Sequence, residues 1–478
     1  MDETTDLTRS QENMLVFAAI VGAFLSVLNS TNINIALPGL MEYYQTDMAS
    51  AQWIVVGYMM ATGLILPTVG YFMDRFSGRN LMVFGLALLA AASIFCAMAP
   101  TVELMVAARL LQGIAGGIIM PVPSAMVYQF IPRERQLMTI SIVSMVVSVG
   151  VAMGPSVSGV LIHYWNWKAI FLINIPAALL DILLVLKFVP CRKMATGSKL
   201  DLTGLFCASA GTVGLLLGFH QGDALGWTAP VTVLLLSGSI AMLSFFVWHA
   251  LRLSVPLLNF HVFRYAGFTY GFLLNSVAAI ATCLAPLYMS LFLQDVLGLD
   301  AMRAGLSMFV PSMLMAAMAP VAAKWAERWS RRAVIFAGML VLLLATWRIS
   351  HFALSTTILA FTIWLSLRYI GLGLINPLVN NFAMSAVPVK LVSHASAMIA
   401  WTRQMISTIS VSLFSLLYSN HMLRYTAQNM GGQLGRTDQL RLIECTAIND
   451  VNFYSLLILL ICVPIICFMK DQLLESPQ

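Results

Sequence analysis

Apolar runs about the thickness of a bilayer dominate this 478-residue chain. A helix rises 1.5 Å per residue, so about 20 apolar residues cross the hydrocarbon core. Fourteen runs meet that length: 14–36, 51–71, 81–99, 104–126, 138–161, 168–189, 202–220, 230–251, 266–290, 303–323, 333–350, 356–379, 395–418 and 453–470. Within the bilayer every backbone polar group must be satisfied inside its own segment, which leaves helices as the solution for runs of this kind. The expected fold class is therefore an all-α polytopic membrane protein. Composition agrees. Only 10% of residues are charged, against about 25% in a soluble domain.

The net charge of +6 does not mark a nucleic-acid partner, because the basic residues fall in short clusters between apolar runs. Counted over alternating helices, 17 of the 26 Lys and Arg lie on the side of both termini. Six lie opposite, and Arg109, Arg368 and Arg403 lie within spans. The positive-inside rule then puts both termini in the cytoplasm. The acidic N-terminus MDETTDLTRSQEN lacks the basic region of a cleaved signal peptide, so the first run is expected to remain as a span. The cysteine spacing suggests neither a metal site nor a disulfide framework. No cofactor is expected. The chain also has no nucleotide loop and no nucleophile–base spacing, which leaves an enzyme reading without support and disfavours a primary pump.

Two halves rhyme. GYFMDRFSGR (70–79) parallels AKWAERWSRR (323–332), and RLLQGIAGG (109–117) parallels RYIGLGLINP (368–377). Repeats of this kind mark transporters with a substrate path between the repeats. They align helices 1–6 with helices 9–14 and leave helices 7 and 8 as an inserted pair. The expected organisation is a six-helix bundle over 1–190, a linker with two inserted helices over 191–265, and a second bundle over 266–478.

These motifs resemble the fourteen-helix drug:proton antiporter branch of the major facilitator superfamily. GYFMDRFSGRN (70–80) is similar to the signature between helices 2 and 3, LMVAARLLQGIAGG (104–117) to that of helix 4, and VGVAMGPSVSG (149–159) to the antiporter signature of helix 5. NSTNINIALP (29–38) and WIVVGY (53–58) match patterns on helices 1 and 2. The resemblance implies two bundles rocking around a central cavity and export of lipophilic, often cationic, compounds against proton entry across a cell inner membrane. Its partners would be a small-molecule substrate, protons and the bilayer, with a periplasmic adaptor protein as a candidate and a monomer as the expected state.

Each motif carries a physical expectation beside a plainer one. Gly70, Asp74, Arg75, Gly78 and Arg79 would form a tight cytoplasmic turn. There Asp74 accepts hydrogen bonds from a neighbouring helix N-terminus as a conformational latch; an ordinary solvated loop is the alternative. Arg109, with Gln112 one turn on, would face a cavity or partner, or else snorkel outward. Gly150, Gly154, Pro155 and Gly159 would give helix 5 a small-residue face and a kink, which generic packing also explains. Arg368 and Arg403 could serve substrate or pair with backbone carbonyls. Asp181 is the acid deepest in any span, six residues from Lys187, and could reach the inner interface instead. Methionines and phenylalanines could line an adaptable cavity or face lipid. His163, His220, His351 and His421 fall at outer helix ends.

Asn29 poses the sharpest question. In the family its position usually holds an aspartate that carries the coupled proton near the helix 4 arginine. Here Asn29, Asn32 and Asn34 offer only amides. Asn29 and Arg109 both lie about 8 Å below the outer face by helical rise, so Asn29 and Asn34 are expected to turn amide oxygens to the guanidinium. An amide cannot titrate. Either another acid such as Asp181 or Asp74 carries the proton, or Arg109 serves an anionic or zwitterionic metabolite or siderophore, or the transporter is uncoupled. A non-transporting membrane sensor or scaffold is the rival from another class, though no sizeable soluble domain exists to signal with.

Overall fold

The computed structural model describes residues 8–46, 48–191, 201–253, 256–299, 301–429 and 436–468. Among the described residues all fourteen expected runs are helical, and no strand occurs. In chain order the helices are α1 (Arg9–Thr31), α2 (Ile33–Tyr44), α3 (Met48–Phe76), α4 (Gly78–Met98), α5 (Val102–Ile119), α6 (Val122–Phe130), α7 (Arg133–Tyr164), α8 (Ala169–Leu172) and α9 (Asn174–Phe188). They continue as α10 (Leu202–Leu225), α11 (Pro230–Arg252), α12 (Ala266–Leu291), α13 (Ala301–Arg328), α14 (Arg331–Ile349), α15 (Ile358–Ser385), α16 (Val392–Asn429), α17 (Arg436–Leu460) and α18 (Cys462–Phe468). By length and composition, 13 helical segments among the described residues suffice to cross a membrane. The run at 395–418 lies in α16, which is 38 residues long but diluted by His394, Arg403 and Gln404. A spanning helix can be that polar where it meets protein or a cavity instead of lipid.

Contacts divide the chain into two compact units. The first comprises Met1–Leu216, Leu234–Tyr265 and Val387–Trp401; the second comprises Leu217–Val233, Ala266–Ala386 and Thr402–Gln478. In the first unit, small residues set the packing. A Cβ at Gly113 would fall 2.4 Å from the Tyr58 carbonyl oxygen, and one at Gly117 would fall 2.9 Å from that of Thr62. Glycine here lets α5 lie directly on the backbone of α3, where Thr62 Oγ1 also donates to the Gly113 carbonyl at 3.0 Å. On α7, Gly150 faces Phe24 and Gly154 faces Thr31 of α1, whereas Gly159 meets open space. The side chain of Pro155 lies outside the described residues.

The Asn-rich stretch ends α1. Ser30 Oγ donates to the Val27 carbonyl at 2.7 Å, and Thr31 Oγ1 to those of Val27 and Leu28. Such back-bonding competes with the helical ladder and bends it. The helix breaks at Asn32 before α2 begins.

In the inserted pair, Asp201 caps α10 by accepting from Gly204 N at 2.8 Å and pairs with His249 of α11 at 3.0 Å. Ser209 Oγ of α10 donates to the Leu64 carbonyl of α3 at 3.3 Å. In the second unit, the close approach recurs on α15. A Cβ at Gly371 would meet the Gly338 oxygen of α14 at 2.8 Å, and one at Gly373 the Met315 oxygen of α13 at 2.5 Å. Thus α15 repeats on its neighbours what α5 does on α3.

Candidate transport site

Arg109 does not snorkel. It is 1% exposed, with Nε donating to the Ile54 carbonyl at 3.1 Å and Nη1 to Gln112 Oε1 at 2.8 Å. Its guanidinium lies 4.4 Å from the centroid of the Tyr58 ring. Gln112 Nε2 donates to Ser93 Oγ at 2.8 Å, and Asn174 Nδ2 donates to Asn29 Oδ1 at 3.1 Å and Ser93 Oγ at 3.4 Å. The expected direct bond from Arg109 to Asn29 is therefore replaced by a chain through Gln112, Ser93 and Asn174. The physical reason is local: Gln112 sits at i+3 on the same helix face and reaches the guanidinium first. Asn32 also serves packing, since its amide can donate to the Gly154 carbonyl and Ser158 Oγ of α7. The side chain of Asn34 lies outside the described residues.

Asp181 occupies a different setting. It is 0% exposed, and neither carboxyl oxygen has a hydrogen-bond partner among the described residues. Oδ2 lies against Gly22 of α1, beside Met82 of α4; a Cβ at Gly22 would come within 2.9 Å of it. Asp181 and Asn174 are seven residues apart on α9, as Gly22 and Asn29 are on α1. Seven residues are two turns, so one seam between α1 and α9 holds both the amide pair and the acid.

At the α3–α4 turn, Asp74 Oδ2 pairs with His394 Nε2 at 3.1 Å. His394 lies in the first turn of α16, whose opening residues up to Trp401 belong to the first unit. Gln129 Nε2 donates to Ser393 Oγ at 3.0 Å and Ser396 Oγ to the Pro121 carbonyl at 2.8 Å. A Cβ at Gly70 would stand 3.0 Å from His394 Cα, so the helix start rests directly on Gly70. Ser77 holds the turn at φ 72° and caps α4 by accepting from Asn80 N. Gly78 packs on Met126. Arg75 is exposed and reaches the Tyr71 hydroxyl at 3.0 Å; Arg79 is half-buried.

In the second unit Arg368 is 0% exposed. It donates to Asn452 Oδ1 at 2.8 Å and to the Ala281 carbonyl at 3.3 Å. Arg403 is half-buried and makes one long contact, Nη2 to Asn275 Oδ1 at 3.4 Å. It lines a cavity of about 100 Å³ together with Asn376. None of these three intramembrane arginines forms an ion pair with a carboxylate among the described residues. Those residues also contain no cluster of His, Cys, Asp and Glu able to hold a metal.

Sequence reasoning missed Ser93, Asn174, Asn452 and His394. Their signal was available: polar side chains in or at the mouths of spans, which cost free energy unless partnered.

Helices of bilayer length, a repeated glycine-lined contact and buried cations held by amides define a polytopic membrane transporter. The family model described as Major Facilitator Superfamily matches residues 19–411, and the chain belongs to that superfamily. It is 28% identical over 440 residues to MdtD of Klebsiella pneumoniae (strain 342), named as a multidrug resistance protein, with 91% of each chain covered. It is 23% identical to the lincomycin resistance protein LmrB of Listeria innocua, with 95% of each covered. The solved structure of the human organic anion transporter MFSD10 (TETRAN) covers 94% of this chain and 99% of its own, with a TM-score of 0.64. At 15% identity that likeness concerns the fold alone.

Proposed function

We propose that this chain exports small molecules from the cytoplasm across the inner membrane by alternating access, driven by proton entry, with both termini cytoplasmic. The names of its relatives LmrB and MdtD support antibiotics and other drugs as the first compounds to try. The proton carrier in this reading is Asp181. The observation that carries it is a fully buried carboxyl without a partner on a spanning helix, in a bundle whose first helix offers Asn29 where the family holds an acid. A bare carboxylate in such a niche is costly. The neutral acid therefore suits the closed packing, and release of its proton requires the α1–α9 seam to open to water. Asn29, Asn174, Ser93 and Gln112 hold Arg109 in place without titrating. Asp74 and His394 clamp the start of α16 to the α3–α4 turn in one conformation and part in the other.

The test is flux in proteoliposomes holding the purified full chain, with a panel of cationic and anionic compounds, with and without an imposed pH gradient. Wild type should show gradient-stimulated flux of at least one compound, and Asp181→Asn should lose the stimulation. Undiminished stimulation in Asp181→Asn would remove the acid from its role; no flux across the panel would remove the export reading.

A further inference from the structure

We infer that the substrate carries an oxyanion, a carboxylate, sulfonate or phosphate, and that Arg403 and Asn275 bind it in the cavity of the second unit. This rests on the export reading and names its substrate class.

Three arginines lie within spanning helices, and their surroundings differ. Arg368 is sealed, with two acceptors and no exposure. Arg109 is sealed beneath Tyr58. Arg403 instead borders a small void of about 100 Å³. It lies 11 residues into α16, about 16 Å along the axis. Asn275 lies nine residues into α12, about 13 Å along. Both depths approach the middle of a core about 30 Å thick, where transporters of this architecture hold substrate. A cation there is costly, and an intramembrane charge facing a cavity is a functional-site hypothesis by default.

The lining has the chemistry of an anion site. Asn275, Ala279 and Thr282 come from one face of α12, and Arg403 and Ser407 from one face of α16. No lining residue is a carboxylate. A guanidinium has five N–H donors, and the one hydrogen bond of Arg403 among the described residues is long. Asn275 is 6% exposed, and its Nδ2 has no partner. The void thus presents unused donors and a permanent positive charge. A cationic substrate would meet like charge with nothing to offset it, whereas an oxyanion takes the guanidinium side-on.

The experiment measures equilibrium binding to the purified full chain in detergent, without any gradient. The probes share one naphthalene scaffold: 1-naphthoate, naphthalene-1-sulfonate, 1-naphthyl phosphate and the cation 1-naphthylmethylammonium. At least one anion should bind about tenfold or more tighter than the cation. Arg403→Gln should weaken that anion about tenfold or more without weakening the cation. Asn275→Asp keeps the arginine and gives it an internal counter-ion, so it should weaken the anion too while the protein remains folded by thermal unfolding. Equal or tighter binding of the cation, no binding of any anion, or anion affinity unmoved in either variant would overturn the inference. Because binding is read without a gradient, loss of proton coupling in the flux assay leaves this result standing. Failure here leaves the export reading intact.

Discussion

Replacing Asp181 separates what the acid does for the fold from what it does for transport. Both of its oxygens are buried and unpartnered, against Gly22 and Met82. A buried polar group left unsatisfied costs about 1–3 kcal/mol. Asp181→Leu keeps the branch point at Cγ and turns the same surface apolar. The gain is offset in part because leucine is larger, and overpacking subtracts about 1 kcal/mol or more. The net expectation is a stabilisation of roughly 0–2 kcal/mol, or up to about 30-fold in the folded-to-unfolded ratio. Asp181→Asn leaves an amide as poorly partnered as the acid, so its stability should stay near wild type.

Unfolding of the purified variants in one detergent, by heat and by denaturant, gives the ranking; gradient-stimulated flux gives the function. The expected pattern is Leu at least as stable as the others, Asn and wild type similar, and proton coupling absent from both variants. A chain that keeps a destabilising acid at a spanning position does so for function. If Leu instead lowers stability by more than about 1 kcal/mol relative to Asn, the carboxyl makes a bond that its packing does not reveal. The proton-carrier argument then loses its footing.

The close approach of α5 to α3 predicts a contrast between two glycines. Gly113→Ala places a Cβ 2.4 Å from a backbone oxygen and should cost about 1–3 kcal/mol, whereas Gly159→Ala meets nothing within 4 Å and should stay within about 0.5 kcal/mol by thermal unfolding. For Arg368, Asn452→Leu removes its side-chain acceptor and should destabilise by about 1–3 kcal/mol. Adding Arg368→Met to that variant should recover most of the loss, a coupling that a double-mutant cycle measures. At the α3–α4 turn, His394→Ala should slow transport several-fold, and His394→Gln, which keeps a side-chain donor toward Asp74, should restore part of it; equal rates in all three proteins would exclude a clamp.

The spans were legible because the bilayer imposes one length and one polarity on every segment that crosses it. The partners of Arg109 were not legible. The Arg109 chain passes from α5 to α4 to α9 to α1, and the link between Asn174 and Asn29 spans 145 residues, which no local pattern encodes. Ser93 stands alone in an apolar run, and Asn174, next to Pro176 at a helix start, has the look of a capping residue. The first-helix asparagines invited a direct bond to the cation, yet Gln112 on its own helix accepts from Nη1 instead. An aspartate restored at Asn29 would therefore meet the Asn174 amide before any guanidinium. Its charge would reach Arg109 only through Ser93 and Gln112, or by moving the Asn174 amide aside. Loss of the family acid here is thus not loss of an ion pair waiting to be refilled. It is a repacked amide seam that leaves the second acid of the same seam, Asp181, two turns away and still unpartnered.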